Sequence, residues 1–106
     1  ANHFNNPGIV GISEPPNPRR HLSEFRQKRL EKLLIKKSPL DVSEIQKILK
    51  DHKNTPQSLC RHRDASLPSS QHTITKTSMI MDLAENKMWV TDGQPCKTIF
   101  EEYSLN

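Results

Sequence analysis

Aromatic and strongly apolar residues are scarce in this sequence. The chain has 106 residues with three Phe, one Trp and one Tyr; 32% are hydrophobic, 26% are charged, and the mean hydropathy is −0.79. A chain of this length ordinarily buries about two-thirds of the surface that its unfolded form exposes. These apolar residues can cover one small sheet and two amphipathic helices, but they are too few to fill a large closed core. We therefore expect one segment that shares its core with further polypeptide.

Other absences limit the function classes. No run approaches the roughly 20 apolar residues that span a membrane, and no charged-then-apolar start suggests a signal peptide. The two cysteines sit in contexts that require no disulfide, which predicts a reduced, cytoplasmic protein. The chain opens at Ala1 without Met, and residues 5–18 hold four prolines. We interpret this start as a cut through a longer polypeptide.

The remaining pattern predicts an α+β segment. Apolar residues recur at helical spacing in two stretches separated by Ser38-Pro39, and Asp41 followed by Glu44 is typical of a helix start. The predicted organisation is a loop over 1–18, a two-helix hairpin over 19–52 (helices 19–37 and 41–52), a loop over 53–70, a β-hairpin over 71–96, and a tail over 97–106 that is either an irregular edge or a short helical turn.

The hairpin follows from alternation. Thr73, Thr75 and Thr77 lead into Met79, Met81 and Leu83 on one face, and Ile80 lies on the other. Residues 84–87 are the predicted turn, residues 88–91 the return strand, and Asp92-Gly93 ends it. We expect the methionine face to be exposed if these residues stand alone.

Positive charge is concentrated in one helix. Residues 19–37 hold eight Lys or Arg against two Glu, or +6, while the rest of the chain sums to −2. Such a helix is usually a solvated outer face. The alternative is a non-catalytic basic module that binds an acidic partner or nucleic acid through helix 19–37. Reversing Arg26, Arg29 and Lys32 to Glu would test that alternative.

Histidine, cysteine and aspartate gather in the middle of the chain. The candidates for metal binding are Asp51, His52, Cys60, His62, Asp64 and His72. Only Cys60-Arg61-His62 is a close pair, the other spacings fit no standard zinc pattern, and Arg61 and Arg63 would repel a cation. The sequence therefore predicts no metal.

Two further features bear on catalysis. Arg61 and His62 can lower the pKa of Cys60, but structural roles are the better prediction for both Cys60 and Cys96, since cysteine is among the most commonly buried residue types. Asn2 lies in the Asn-His-Phe opening, and an asparagine amide can donate to a developing oxyanion. Taken alone, such an asparagine more often serves a turn.

Three blocks, in this order, resemble the distal part of one family. They are Asn2–Phe4, then Ser58–His62 after the helical Leu49–His52, then Ser78–Cys96 with its Gly93-Gln94-Pro95-Cys96 end. The chain is similar to the carboxy-terminal third of the acyltransferase-like N-terminal nucleophile hydrolases. That family includes acyl-CoA:6-aminopenicillanate acyltransferase and the β-alanyl-dopamine and carcinine hydrolases. The hairpin block is the most specific of the three.

The resemblance implies an αββα sandwich to which this segment gives two helices and a β-hairpin. It also implies a precursor that cuts itself before an internal cysteine, whose α-amine then serves as base for its own thiolate. Asn2 matches the oxyanion-stabilising asparagine and is the one catalytic residue implied; Arg61 is not assigned a role. The implied substrates are small amides or acyl-CoA, with no cofactor. Because the sequence has no Gly-Cys pair, the nucleophile would lie upstream in the remainder of the precursor, and this segment alone would be inactive.

Overall fold

A computed structural model describes residues 16, 18–36 and 39–105, which form a small α+β unit. It contains two helices followed by a three-stranded antiparallel sheet. The elements are α1 (Arg20–Lys36), α2 (Val42–Leu49), a short 3-10 turn at Ser69–Gln71, β1 (Met79–Asp82), β2 (Lys87–Val90) and β3 (Glu101–Ser104). The α+β class and the two helices are confirmed.

The start of α2 follows its sequence signal. The Asp41 side chain accepts a hydrogen bond from the backbone N–H of Glu44 at 2.8 Å, so a donor that the helix leaves unpaired is satisfied. The helix ends at Leu49, three residues before the predicted end at residue 52. The helices contact each other, and α2 also contacts β1.

The sheet has the order β1-β2-β3. Ile80 is opposite Trp89 across the first pair, and Trp89 is opposite Glu102 across the second. The predicted hairpin is confirmed, with Lys87 in the return strand instead of the turn. The prediction for the tail was wrong, because Glu101–Ser104 pairs with β2 as a third strand.

The first strand is also shorter than predicted. Thr75 bonds to the preceding loop: its backbone N–H donates to the Arg61 carbonyl at 3.0 Å, and its hydroxyl accepts from the Arg61 N–H at 2.8 Å. The Thr77 hydroxyl donates to the Thr91 carbonyl at 2.7 Å. One backbone bond still continues the ladder before Met79, from the Thr91 N–H to the Ser78 carbonyl at 3.0 Å, and the bonds of Thr75 and Thr77 follow it.

The core is thin. Among the described residues the buried hydrophobic ones are Ile48, Cys60 and Ile80. Directly opposite residues of an antiparallel pair share a face, so Met79, Met81 and Tyr103 lie on the face away from Ile80, where they are 49%, 56% and 48% exposed. The expected exposure of the methionine face is confirmed.

Among the described residues, no helix has the length and apolar character that crossing a membrane requires.

Candidate functional site

Two histidines and two cysteines converge beside the sheet. One ligand atom from each of His52, Cys60, His62 and Cys96 lies within 4.8 Å of every other. His62 Nε2 is central: it is 3.0 Å from His52 Nε2, 3.6 Å from Cys60 Sγ and 3.4 Å from Cys96 Sγ. Cys60 is buried, His62 is half-buried, and His52 and Cys96 are exposed. We call these four residues the His/Cys cluster.

Backbone hydrogen bonds shape the loop that carries three members of the cluster. The Cys60 N–H donates to the Asp51 carbonyl at 3.1 Å, and the His62 N–H donates to the Pro56 carbonyl at 3.0 Å. The Ser58 hydroxyl, itself buried, donates to the Cys60 carbonyl at 2.6 Å. The chain therefore folds back after α2 so that His52, Cys60 and His62 face one another.

The fourth member arrives from the turn after β2. The Gln94 side-chain amide donates to the Arg61 carbonyl at 2.8 Å, joining that turn to the loop between Cys60 and His62. Pro95 is buried, and the Lys97 N–H donates to the Gln94 carbonyl at 2.9 Å. Cys96 is thereby fixed next to His62 although 34 residues separate them in sequence.

The electrostatics of the cluster disfavour a free nucleophile. Burial raises the pKa of the Cys60 thiol to about 11. Burial also lowers the pKa of His62, as do the neighbouring His52 and Lys97. Since a thiol nucleophile needs a depressed pKa, Cys60 is unsuited to attack a substrate. Neutral imidazole and sulfur are, however, donors that a soft or borderline cation binds.

The other metal-ligand candidates from the sequence have separate partners. Asp51 forms a two-point ion pair with Arg29, which holds the pKa of that carboxyl below its usual range. Asp64 accepts from the backbone and hydroxyl of Ser66. His72 Nε2 lies 2.8 Å from the Leu67 carbonyl oxygen. None of the three belongs to the cluster.

Arg61, one of the two arginines expected to repel a cation, has another contact. Arg61 Nε donates to the Gln57 side-chain oxygen at 2.7 Å. Burial lowers the pKa of Arg61, and the charges of Arg26 on α1 and of Arg19 just before that helix lower it further. The guanidinium is therefore held by Gln57.

The basic helix is only partly a solvated face. Lys28, Lys32 and Lys36 are exposed, but Arg29 is committed to Asp51 and Arg26 is half-buried. Reversing Arg29 would therefore break an internal ion pair as well as alter surface charge. The acidic-partner or nucleic-acid alternative stays a prediction.

Sequence reasoning found Cys60 and His62 as a pair but missed Cys96 as their partner. No spacing rule connects residues 62 and 96; the antiparallel hairpin brings them together. The one signal available was the Gln94-Pro95-Cys96 turn closing a hairpin whose first strand follows Cys60-Arg61-His62. Asn2 and nearly all of the predicted loop 1–18 lie outside the described residues.

Comparison with protein-family models and with curated proteins finds no match for this chain.

Proposed function

We propose that this chain is the carboxy-terminal segment of a self-processing cysteine amide hydrolase or acyltransferase. The proposal takes its chemistry from the resemblance of the Asn2–Phe4, Ser58–His62 and Ser78–Cys96 blocks. The substrate class is a small amide, as in β-alanyl-amine hydrolysis, or an acyl donor, as in penicillin-type acyl transfer. The thiol nucleophile lies upstream of Ala1.

The open face of the sheet is the observation that carries the proposal. Ile80 is only 8% exposed, on the face toward α2, whereas the opposite face presents Met79, Met81 and Tyr103 at about half exposure. On that same face the half-buried Val90 is opposite Met79, and the half-buried Met88 is opposite Met81. A sheet that is apolar on both faces needs a layer on each. An αββα sandwich supplies the missing layer as a second sheet.

In the proposed reaction the upstream cysteine attacks the carbonyl carbon of the amide or thioester. Its α-amine takes the thiol proton and returns it to the leaving group. The side-chain amide of Asn2 donates to the oxyanion of the tetrahedral intermediate. Cys60 and Cys96 take no part, in keeping with the raised pKa of Cys60.

The first test is mass spectrometry with amino-terminal sequencing of the protein from its natural source. The proposal expects these residues inside a longer chain that begins with Cys and is held to a second chain from the same precursor. A lone 12.2 kDa species that starts at Ala1 would overturn it.

The second test is Asn2→Ala in the processed protein. Loss of an oxyanion donor is expected to lower kcat for an amide substrate by about a hundredfold or more, with KM little changed. Asn6→Ala, in the same segment, is the matched control and is expected to keep full kcat. Equal kcat in both variants would exclude Asn2 as the oxyanion donor.

A further inference from the structure

We propose that the His/Cys cluster is a structural zinc site, with His52, Cys60, His62 and Cys96 as the four ligands of one Zn²⁺. The site goes beyond the proposed hydrolase function and does not depend on it. Zinc binding would displace two thiol protons, so that Zn²⁺, two thiolates and two neutral imidazoles form a centre of zero net charge.

The distances match a tetrahedral centre. With Zn–N of about 2.05 Å and Zn–S of about 2.3 Å, tetrahedral ligand atoms stand about 3.3 Å apart for N···N and about 3.6 Å for N···S. The corresponding separations here are 3.0 Å for the two histidine nitrogens, and 3.6 and 3.4 Å from His62 Nε2 to the two sulfurs. The other three separations are each within 4.8 Å, so the four atoms surround one point at which an ion could bind.

Hydrogen bonding does not account for the same arrangement. A neutral imidazole nitrogen either donates one hydrogen bond or accepts one. His62 Nε2 nevertheless has three heteroatoms within 3.6 Å, and only one of them can be its partner. A central cation gives each of the four atoms a bond at once.

The ligand set points to zinc and to a structural role. Two thiolates and two imidazoles in tetrahedral array are typical of structural zinc sites, whereas catalytic zinc keeps one position open for water. All four positions are filled here by side chains. The ion would join three parts of the chain: the end of the α2 region through His52, the loop through Cys60 and His62, and the turn after β2 through Cys96.

A zinc ion linking these parts would stabilise a fold that has a thin apolar core. Only three hydrophobic residues are buried among those described, and small domains with thin cores commonly depend on metals or disulfides. In structural sites the free energy of metal binding becomes free energy of folding. The zinc would hold the sheet to the loop where apolar packing is scarce.

The test is metal binding by the reduced, metal-free chain. We expect one Zn²⁺ per chain, release of protons on binding, and a gain of secondary structure by far-UV circular dichroism. Co²⁺ used as a probe should give the visible bands of a tetrahedral ion with thiolate charge-transfer bands in the near ultraviolet. Because structural zinc peptides bind and fold together, the test works even if the metal-free chain is unfolded.

Variants identify the ligands. Cys96→Ser and His52→Gln are each expected to weaken Zn²⁺ binding by at least about a hundredfold, since even loss of an outer partner of a ligand costs about 10- to 100-fold. His72→Gln is the matched control, because His72 contacts the Leu67 carbonyl outside the cluster. Bound zinc should also slow alkylation of Cys96, which is exposed and otherwise accessible.

Three results would overturn the zinc site. They are no stoichiometric Zn²⁺ or Co²⁺ binding by the reduced chain, equal affinities in Cys96→Ser and His72→Gln, and recovery of the native protein with a Cys60–Cys96 disulfide in place of metal. None of these readouts uses enzyme activity, so failure of the hydrolase proposal leaves the zinc test intact.

Discussion

The ion pair between Arg29 and Asp51 joins α1 to the residue that precedes His52. Arg29 Nη2 and Nε lie 2.8 and 2.9 Å from the two carboxylate oxygens of Asp51, and both side chains are more than four-fifths buried. Two-point geometry of this kind fixes orientation as well as charge. The pair therefore anchors the helix next to the His/Cys cluster.

Removing this arginine should destabilise the fold. Arg29→Gln is expected to lower the Tm, because it leaves the Asp51 carboxylate without its two-point partner. Lys28→Gln is the control: it removes the same charge from an exposed neighbouring position and should leave the Tm nearly unchanged. Thermal unfolding followed by circular dichroism compares the two. Equal Tm values would show that Arg29 acts only as surface charge.

At this scale the sequence identifies residue types but not their partners. Local spacing pairs His62 with Cys60 but does not distinguish His52 from His72, yet His52 belongs to the cluster and His72 contacts a backbone carbonyl. Asp51 and Asp64 also have different partners: Asp51 binds Arg29, and Asp64 binds Ser66. Such pairings depend on tertiary geometry, which local spacing does not encode.

At the scale of elements, α2 depends on its cap. The helix has only eight residues, and isolated helices of that length are marginal in water. Asp41 satisfies one of the unpaired donors at its start, and Lys50 closes its end with backbone bonds to the carbonyls of Lys47 and Ile48. The cap therefore supports the helix that covers Ile80.

Substitution at the cap has an expected cost. Asp41→Ala should reduce the free energy of unfolding by about 0.5–2 kcal/mol, while Asp41→Asn should retain most of it, because asparagine also accepts from the N3 backbone N–H. Denaturant unfolding of the two variants measures the difference. If Asp41→Ala matches the wild type, the hydrogen bond from Glu44 N–H contributes nothing.

Helices and hairpin could be predicted because each carries a local signal. Asp41 with Glu44, the Ser38-Pro39 break and the Met79–Leu83 alternation all lie within a few residues of the structure they specify. The third strand could not, because Glu101–Ser104 lacks alternation and forms through pairing with β2. At Thr75 a strand was predicted and does not form, because hydrogen bonds to Arg61 hold this residue against the preceding loop.

At the scale of the whole molecule, the open apolar face should govern association. We expect the isolated chain to self-associate and to bind a hydrophobic dye. Met81→Lys should make it more monomeric, because a charge on that face opposes its burial against another molecule. Ile35→Lys is the control, as Ile35 is an equally apolar exposed residue, 80% accessible, on α1. Light scattering after gel filtration measures both.

The opposite result is equally informative. If Met81→Lys and Ile35→Lys associate to the same extent as the wild type, the sheet face is not the adhesive surface. The exposed apolar face of the sheet would then no longer support the proposed sandwich.

The two edges of the sheet differ in how readily another strand can pair with them. The edge strand β3 carries Glu101 and Glu102, both exposed. Charged side chains on an edge strand disfavour pairing with another chain. The outer strand β1 has uncharged Met79, Ile80 and Met81 before Asp82. We therefore expect any additional strand, from a longer polypeptide or a second copy, to pair with β1 and not with β3.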